Sequence, residues 1–150
     1  MAEEKATILV VDDNKPNVEL LQVHLESAGY NVITAYGGEE ALAKVLSSKP
    51  DLILLDIMMP RISGYEVCRR LKAGPETKNI PIVIVTALNE LEDVEKGVEV
   101  GADDFLMKPI NKHELFSRVK SMLRVKNLED ELQRTLAYLD EIRKEDWKGE

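Results

Sequence analysis

Short apolar runs alternate with amphipathic segments along most of the chain. Runs rich in Ile, Leu and Val predict five short strands at residues 7–11, 32–35, 51–55, 82–85 and 104–106. Three of these runs are almost continuous in aliphatic residues, which is typical of strands that are buried on both faces of a parallel sheet. The pattern therefore predicts a sheet whose strands are separated along the chain by other elements.

Five further segments have the 3.6-residue apolar period of helices with one buried face. The predicted faces are Val18, Leu21, Leu25 and Ala28; Ala41, Leu42, Val45 and Leu46; Val67, Cys68 and Leu71; Leu91, Val94 and Val98; and Leu115, Val119 and Met122. Gly29 and Gly101 are expected to end the first and fourth helices. The alternation of strands and helices predicts an open parallel sheet with right-handed crossovers and helices on both faces.

Three polar residues and a proline mark the predicted starts of four helices. Ser63, Asn89 and Asn111 each stand three residues before a glutamate, which is the spacing of a capping box. Pro16 fits the first position of the first helix, because the N–H that proline lacks would have no partner there. These residues set the predicted beginnings of the first, third, fourth and fifth helices.

The helical pattern continues beyond the last strand–helix unit, and no glycine or proline lies between Pro109 and Gly149. Apolar side chains recur near the a/d spacing of a coiled coil at Val125, Leu128, Leu132, Leu139 and Ile142. We interpret residues 1–124 as one domain and residues 125–150 as a helical extension, a candidate coiled-coil linker. A solvated helix without a partner is the alternative, because about three heptads are marginal for a coiled coil by themselves.

Composition and charge argue against several classes of function. The 150 residues are 44% hydrophobic and 32% charged, which suits one globular domain with a small addition. A formal net charge of -8 argues against direct binding of nucleic acid or of anionic membranes. The single cysteine, Cys68, allows no internal disulfide, and the apolar runs are too short to span a bilayer. We therefore expect a cytoplasmic protein.

Chemically active side chains follow four of the five predicted strands. Asp12 and Asp13 end the first strand, Asp56 follows the third, Thr86 ends the fourth and Lys108 follows the fifth. In open parallel sheets these ends meet at one edge, where ligands bind. Three carboxylates in one pocket repel one another unless a cation intervenes, and oxygen ligands suit Mg²⁺. Such a site is suited to accept a phosphoryl group on a carboxylate.

These residues lie in motifs that resemble the receiver domain of two-component response regulators. The matching segments are Val11-Asp12-Asp13-Asn14, Leu54-Leu55-Asp56-Ile57-Met58-Met59-Pro60, Ser63-Gly64-Tyr65-Glu66, Ile84-Val85-Thr86-Ala87 and Asp103-Asp104-Phe105-Leu106-Met107-Lys108-Pro109. Each motif alone is weak, but all occur in order at the expected strand ends, over about residues 5–124. The resemblance implies a flavodoxin-like, doubly wound α/β fold with five helices and a five-stranded parallel sheet in the order 2-1-3-4-5.

The resemblance also implies a phosphoacceptor and a metal site. Asp56 matches the phosphoacceptor, which receives its phosphoryl group from a sensor histidine kinase or a phosphotransfer protein. Asp12, Asp13 and Asp56, with the backbone carbonyl of Met58, match the protein ligands of Mg²⁺. On this interpretation the chain is a signalling module and not an enzyme.

Three further positions match residues that respond to the phosphoryl group. Thr86 matches the switch hydroxyl, Lys108 the invariant ammonium, and Phe105 the aromatic switch position, which is often tyrosine in the family. The bond between Lys108 and Pro109 is expected to be cis. We expect phosphorylation to re-pack Thr86 and Phe105 and to change the surface of helix 4, strand 5 and helix 5. That surface continues into the C-terminal helix and would control homodimerisation or a downstream effector domain.

Other interpretations stay open from the residues alone. In isolation the acids would be helix caps or turn residues, Thr86 a strand residue and Lys108 a solvated lysine. A phosphatase with an aspartate nucleophile would need a second acid two residues later, where the chain has Met58. A flavin-binding module would need a phosphate loop after the first strand, where Asp12 and Asp13 repel phosphate. A purely structural dimerisation domain is the third rival.

Overall fold

The computed structural model describes residues 5–88 and 90–148, with side chains as far as residue 145. Strands and helices alternate as β1 (Thr7–Val11), α1 (Lys15–Ser27), β2 (Asn31–Ala35), α2 (Gly38–Ser48), β3 (Leu52–Leu55), α3 (Gly64–Ala73), β4 (Ile82–Thr86), α4 (Leu91–Glu99), β5 (Asp104–Met107) and α5 (Lys112–Lys148). The strands are parallel and lie in the order β2-β1-β3-β4-β5. The predicted fold class, strand order and long last helix are confirmed.

The sheet is buried on both faces because successive strand residues point into two different apolar cores. Leu9 and Ile53 pack on one face with α2 and α3. Their neighbours Val10 and Leu54 pack on the other face with α1 and α5. Full burial of such a side chain contributes about 1.5–3 kcal/mol, so the two cores together hold the strand ends in fixed positions.

The predicted strand boundaries differ from the observed ones by one residue. β2 begins at Asn31, β4 ends at Thr86, and β5 ends at Met107. Asp51, the predicted first residue of β3, precedes the strand, and its carboxylate accepts a hydrogen bond from the Thr7 N–H at 2.8 Å. The side chain of Asp51 therefore joins the starts of β1 and β3, at the amino-terminal ends of the strands and away from the acidic cluster.

Two of the predicted helix caps are confirmed. The Ser63 side chain accepts a hydrogen bond from the backbone of Glu66 at the start of α3. The Asn111 side chain accepts one from the N–H of Glu114 at 3.1 Å at the start of α5. In both helices a short polar side chain accepts a hydrogen bond from a first-turn N–H group that has no carbonyl partner within the helix.

The other two predicted helix starts are wrong by one residue. Asn14 caps α1 through the Asn17 N–H, so Pro16 occupies the second helical position and not the first. Asn89 lies outside the described residues, and the N-cap of α4 is Glu90, whose N–H donates to the Asp93 carboxylate at 3.3 Å.

Three of the predicted buried faces contain residues that are exposed. Leu46 of α2 is 65% exposed, and Ala28 is exposed at the C-cap of α1. In α4, Leu91 and Val98 are 71% and 61% exposed, and the buried residue is Gly97. The faces predicted for α1 at Val18, Leu21 and Leu25 and for α3 at Val67, Cys68 and Leu71 are buried as expected.

Helix α5 leaves the domain without a break. Leu115 and Val119 are fully buried in the core, and farther along Lys126 Nζ lies 3.6 Å from Asp51 Oδ1. Beyond that ion pair the apolar residues Leu128, Leu132, Leu136 and Leu139 are more than half exposed. No helix in the described part of the chain is both long and apolar enough to cross a membrane.

Candidate functional site

The carboxyl ends of β1 and β3 place two carboxylates side by side. Val11 pairs with Leu55, so Asp12 and Asp56 leave adjacent strands in register. Asp12 is 3% exposed and Asp56 is 4% exposed, whereas Asp13 is exposed. Each of these three acids offers one carboxylate oxygen, and the three oxygens lie within 4.8 Å of one another. The structure thus brings together the three acids that the sequence placed at one edge.

Lys108 is the cation beside these acids. Its backbone N–H donates to the Thr86 carbonyl at 2.9 Å, which continues the β4–β5 pairing beyond β5. Its Nζ donates to Asp12 Oδ2 at 3.0 Å and lies 3.7 Å from Asp56 Oδ2. The bond to Pro109 is cis, as expected. One ammonium beside three carboxylates leaves the pocket with excess negative charge.

The two buried carboxyl groups have pKa values that shift in opposite directions. Burial and the neighbouring charge of Asp12 raise the pKa of Asp56 from 3.8 to about 6, against the attraction of Lys108. Burial also raises the pKa of Asp12, but hydrogen bonds from Asn14, Lys108 and Asn17 outweigh it and lower that pKa below 3.8. Asp12 is therefore the ionised partner of the lysine. The ionised form of Asp56 is the one that burial and the charge of Asp12 disfavour.

Thr86 lies at the same edge, as the last residue of β4. It is almost fully buried, and its hydroxyl accepts a hydrogen bond from the Leu88 N–H at 3.1 Å. That bond joins the end of the strand to the loop before α4. A movement of the hydroxyl would therefore break a contact that holds this loop.

Two residues that support the site were not singled out from the sequence. Asn17 donates from Nδ2 to Asp12 Oδ2 at 3.3 Å, one helical turn into α1. Gly64 packs directly on the segment that contains Asp56, since a β-carbon there would lie 2.2 Å from the Asp56 carbonyl oxygen. The available signals in the sequence were an amide in the first turn of α1 and a glycine in the Ser63-Gly64 motif. The positions of these two residues along the chain do not reveal which atoms they contact.

The remaining predicted site residues are Met58 and Phe105. Met58 is in the loop after Asp56, with an exposed side chain, and its carbonyl as a metal ligand stays a prediction. Phe105 lies in β5, beside Ile84 of β4. Its ring is partly buried against Gly97 of α4.

An apolar groove opens next to the acidic cluster, between α1 and the loop after β5. Its volume is about 260 Å³, and it reaches both Asp12 and Lys108. The side chains along it include Leu20, Pro109 and Ile110. Leu20 is 56% exposed there, so the groove presents apolar surface within reach of the carboxylates.

Comparison with known proteins decides the family. The family model described as "Response regulator receiver domain" matches residues 8–120. The chain belongs to this family. Receiver domains are regulatory modules of two-component systems that are phosphorylated on an aspartate and bind Mg²⁺ at an acidic pocket.

The similarity to individual receiver proteins is substantial. This chain is 50% identical over 127 residues to the response regulator PleD of Caulobacter vibrioides, covering 85% of this chain and 28% of PleD. It is 50% identical over 117 residues to the alkaline phosphatase synthesis transcriptional regulatory protein PhoP of Bacillus subtilis, covering 78% of this chain and 48% of PhoP. The chain thus spans less than half the length of these two relatives.

A solved structure shows the same similarity. The chemotaxis protein CheY4 of Vibrio cholerae is 33% identical and superimposes with a TM-score of 0.76. The match covers 79% of this chain and 99% of CheY4. The receiver fold therefore accounts for most of the chain, and the end of α5 extends beyond it.

Proposed function

We propose that this receiver domain accepts a phosphoryl group on Asp56 from the phosphohistidine of a sensor histidine kinase or a phosphotransfer protein. The observation that carries the proposal is the position of one buried carboxylate, Asp56, beside both Asp12 and Lys108. Because the pKa of Asp56 is about 6, the carboxylate is mostly ionised at neutral pH and can act as a nucleophile. Incubation with Mg²⁺ and acetyl phosphate should therefore add one phosphoryl group, and Asp56→Ala should prevent it.

In this transfer a carboxylate oxygen of Asp56 attacks the phosphorus atom of the donor. The new oxygen–phosphorus bond forms as the bond to the donor's imidazole nitrogen breaks, and that nitrogen keeps the electron pair. Lys108 Nζ, 3.7 Å from Asp56 Oδ2, is placed to neutralise the phosphoryl oxygens. Thr86 is the hydroxyl that we expect to turn toward them, releasing the Leu88 N–H.

The residues at this edge fit a magnesium ion. The donor set consists of carboxylate oxygens within 4.8 Å of one another, in a pocket with excess negative charge. Asp12, Asp13 and Asp56, with the carbonyl of Met58, would hold the ion. When bound, Mg²⁺ supplies positive charge that offsets the charge of the phosphoryl oxygens.

The apolar groove beside the cluster suits the donor protein. A partner that brings a phosphohistidine to Asp56 must contact the surface around the pocket, and Leu20 with Ile110 offers apolar area there. We propose that a helix of the histidine-bearing partner lies along this groove. Acetyl phosphate needs no such contact, because it is small enough to enter the pocket by itself.

Leu20→Glu should separate the two routes of phosphorylation. We expect the rate of transfer from a phosphohistidine partner to fall at least about tenfold, since loss of one apolar anchor costs on the order of 1–3 kcal/mol. The rate with acetyl phosphate should stay within about twofold, because this small donor does not need the groove that Leu20 lines. The check is a comparison of both donors, with Leu46→Glu as the matched control on the exposed surface of α2. Equal losses with both donors, or equal losses in both variants, would contradict the proposed docking surface.

We further propose that phosphorylation changes the surface of α4, β5 and α5 and thereby the association of the chain or the state of an attached domain. Leu91 and Val98 expose apolar surface on α4, and the extension of α5 carries four leucines that are more than half exposed. Residues 125–150 then form a coiled-coil linker between two copies, or lead to an effector domain. A free, buried Cys68 fits the reducing cytoplasm. Equal molar mass by light scattering, with and without beryllofluoride, would contradict phosphorylation-controlled dimerisation.

A further inference from the structure

The fully buried residue of helix α4 is a glycine, whereas the large apolar side chains Leu91 and Val98 are exposed. Gly97 is buried, and a β-carbon there would lie 2.6 Å from Cε1 and 2.7 Å from Cζ of Phe105. It would also lie 3.2 Å from Cδ1 of Ile84. The Phe105 ring therefore occupies the space that a side chain at position 97 would need.

We propose that Gly97 is a positioning residue that permits the inward conformation of Phe105. Without a β-carbon, the ring can lie between α4 and Ile84, as it does here. With one, the ring must leave this site. The inference rests on the proposed function in one respect, because it concerns the aromatic residue at the switch position, but the ring can be located without any phosphorylation.

The two conformations of the ring respond to a side chain at position 97 in opposite ways. Alanine is a better helix former than glycine, so Gly97→Ala favours α4 when the ring points outward. When the ring points inward, the new methyl group overlaps two of its carbons, and close-packed interiors do not tolerate such overlap. The substitution therefore moves the equilibrium toward the outward ring.

The neighbouring backbone is held in place, so the ring is the part that can move. The first turn of α4 is tied to α3 by the Tyr65 hydroxyl, which donates to the Asp93 carbonyl at 3.0 Å. Phe105 is paired with Ile84 in the sheet, and its N–H donates to Asp104 Oδ1 at 2.8 Å. A rotation about the side-chain bonds of Phe105 relieves the overlap with less disruption than a shift of the helix or the strand.

The position of the ring can be measured by NMR with labelled phenylalanine, because the chain has only Phe105 and Phe116. In the unmodified protein we expect a nuclear Overhauser effect between the Phe105 ring and the Ile84 Cδ1 methyl group. In Gly97→Ala we expect it to fall at least fivefold, with and without beryllofluoride. Gly37→Ala is the matched control, since a β-carbon there meets nothing within 4 Å and should leave the effect unchanged.

A second measurement keeps the proposal falsifiable if Gly97→Ala folds poorly. In a Phe105→Ala background the overlap with the ring is absent and only the close approach to Ile84 remains, so Gly97→Ala should lower the urea midpoint much less than it does in the wild-type background. An undiminished Ile84 contact in Gly97→Ala, or an equal loss of midpoint in both backgrounds, would overturn the proposal. Failure of acetyl phosphate to modify Asp56 in the same samples would instead refute the proposed function and leave the role of Gly97 standing.

Discussion

Asp56→Asn is expected to stabilise the metal-free protein, although it removes the proposed reactive group. Burial and the charge of Asp12 raise the pKa of Asp56 from 3.8 to about 6, so the ionised carboxylate is disfavoured in the folded state. An asparagine of nearly the same shape removes that cost. A shift of this size corresponds to at most about 3 kcal/mol at neutral pH, and we expect a gain of roughly 1–3 kcal/mol.

The direction of the pH dependence follows from the raised pKa. Above pH 6 the folded protein carries the ionised Asp56, and the whole cost is present. As the pH falls from 6 toward 3.8, the folded state binds a proton that the unfolded state does not, so the wild-type protein gains stability relative to Asp56→Asn. The difference between the two proteins should therefore be largest at pH 7.5 and should shrink toward pH 4.

Urea unfolding in EDTA at several pH values measures this difference directly. Asp13→Asn is the matched control, because it removes the same charge from an exposed position of the same cluster. We expect a much smaller gain there. Equal gains in the two variants would mean that the overall charge of -8, and not the burial of Asp56, sets the effect. No gain in Asp56→Asn would refute the raised pKa.

Gly64→Ala is expected to have the second large effect, in the opposite direction. A β-carbon at this position would lie 2.2 Å from the Asp56 carbonyl oxygen and 2.8 Å from the Ile57 Cα. Both are backbone atoms that cannot rotate away, so α3 or the loop after Asp56 must move. We expect a loss of roughly 3 kcal/mol, toward the upper end for overpacked sites, together with slower phosphorylation.

Gly37→Ala gives the comparison for Gly64→Ala. Gly37 is the N-cap of α2 in an extended conformation, and its added methyl group meets nothing within 4 Å. Its urea midpoint should fall by much less than that of Gly64→Ala, because the only expected cost is that alanine is a poorer N-cap than glycine. If Gly64→Ala unfolded at the same urea concentration as Gly37→Ala and took up phosphoryl groups at the wild-type rate, the close approach of α3 to Asp56 would be refuted.

The position of the acidic cluster could be predicted because topology alone brings it together. In a parallel sheet the residues after paired strand ends must be neighbours, and the pairing of Val11 with Leu55 makes Asp12 and Asp56 adjacent. The supporting contacts were not predictable in this way. The hydrogen bond from Asn17 to Asp12 depends on the rotation of α1, and the fit of Gly64 depends on how closely α3 approaches the loop.

The prediction for α4 failed for an identifiable physical reason. Periodicity marks a helix face by its large apolar side chains, and Leu91, Val94 and Val98 formed such a stripe. Of these three, Leu91 and Val98 are exposed and Val94 is half-buried. The face that meets the sheet instead carries Gly97, because the Phe105 ring fills the space beside it. Because glycine has no side chain, the close approach at Gly97 adds no apolar residue to the periodic pattern. The exposed apolar stripe of α4 is available to the surface that we propose for output.

Phosphorylation of Asp56 is the central claim, and intact-mass spectrometry tests it most directly. The protein and Asp56→Ala are each incubated with acetyl phosphate, with Mg²⁺ or with EDTA, and the molar mass of the same samples is measured by light scattering. We predict one phosphoryl group on the unmodified protein in Mg²⁺, and none in EDTA or in Asp56→Ala. A folded protein that binds Mg²⁺ but takes up no phosphoryl group, or an adduct that persists in Asp56→Ala, would contradict the claim.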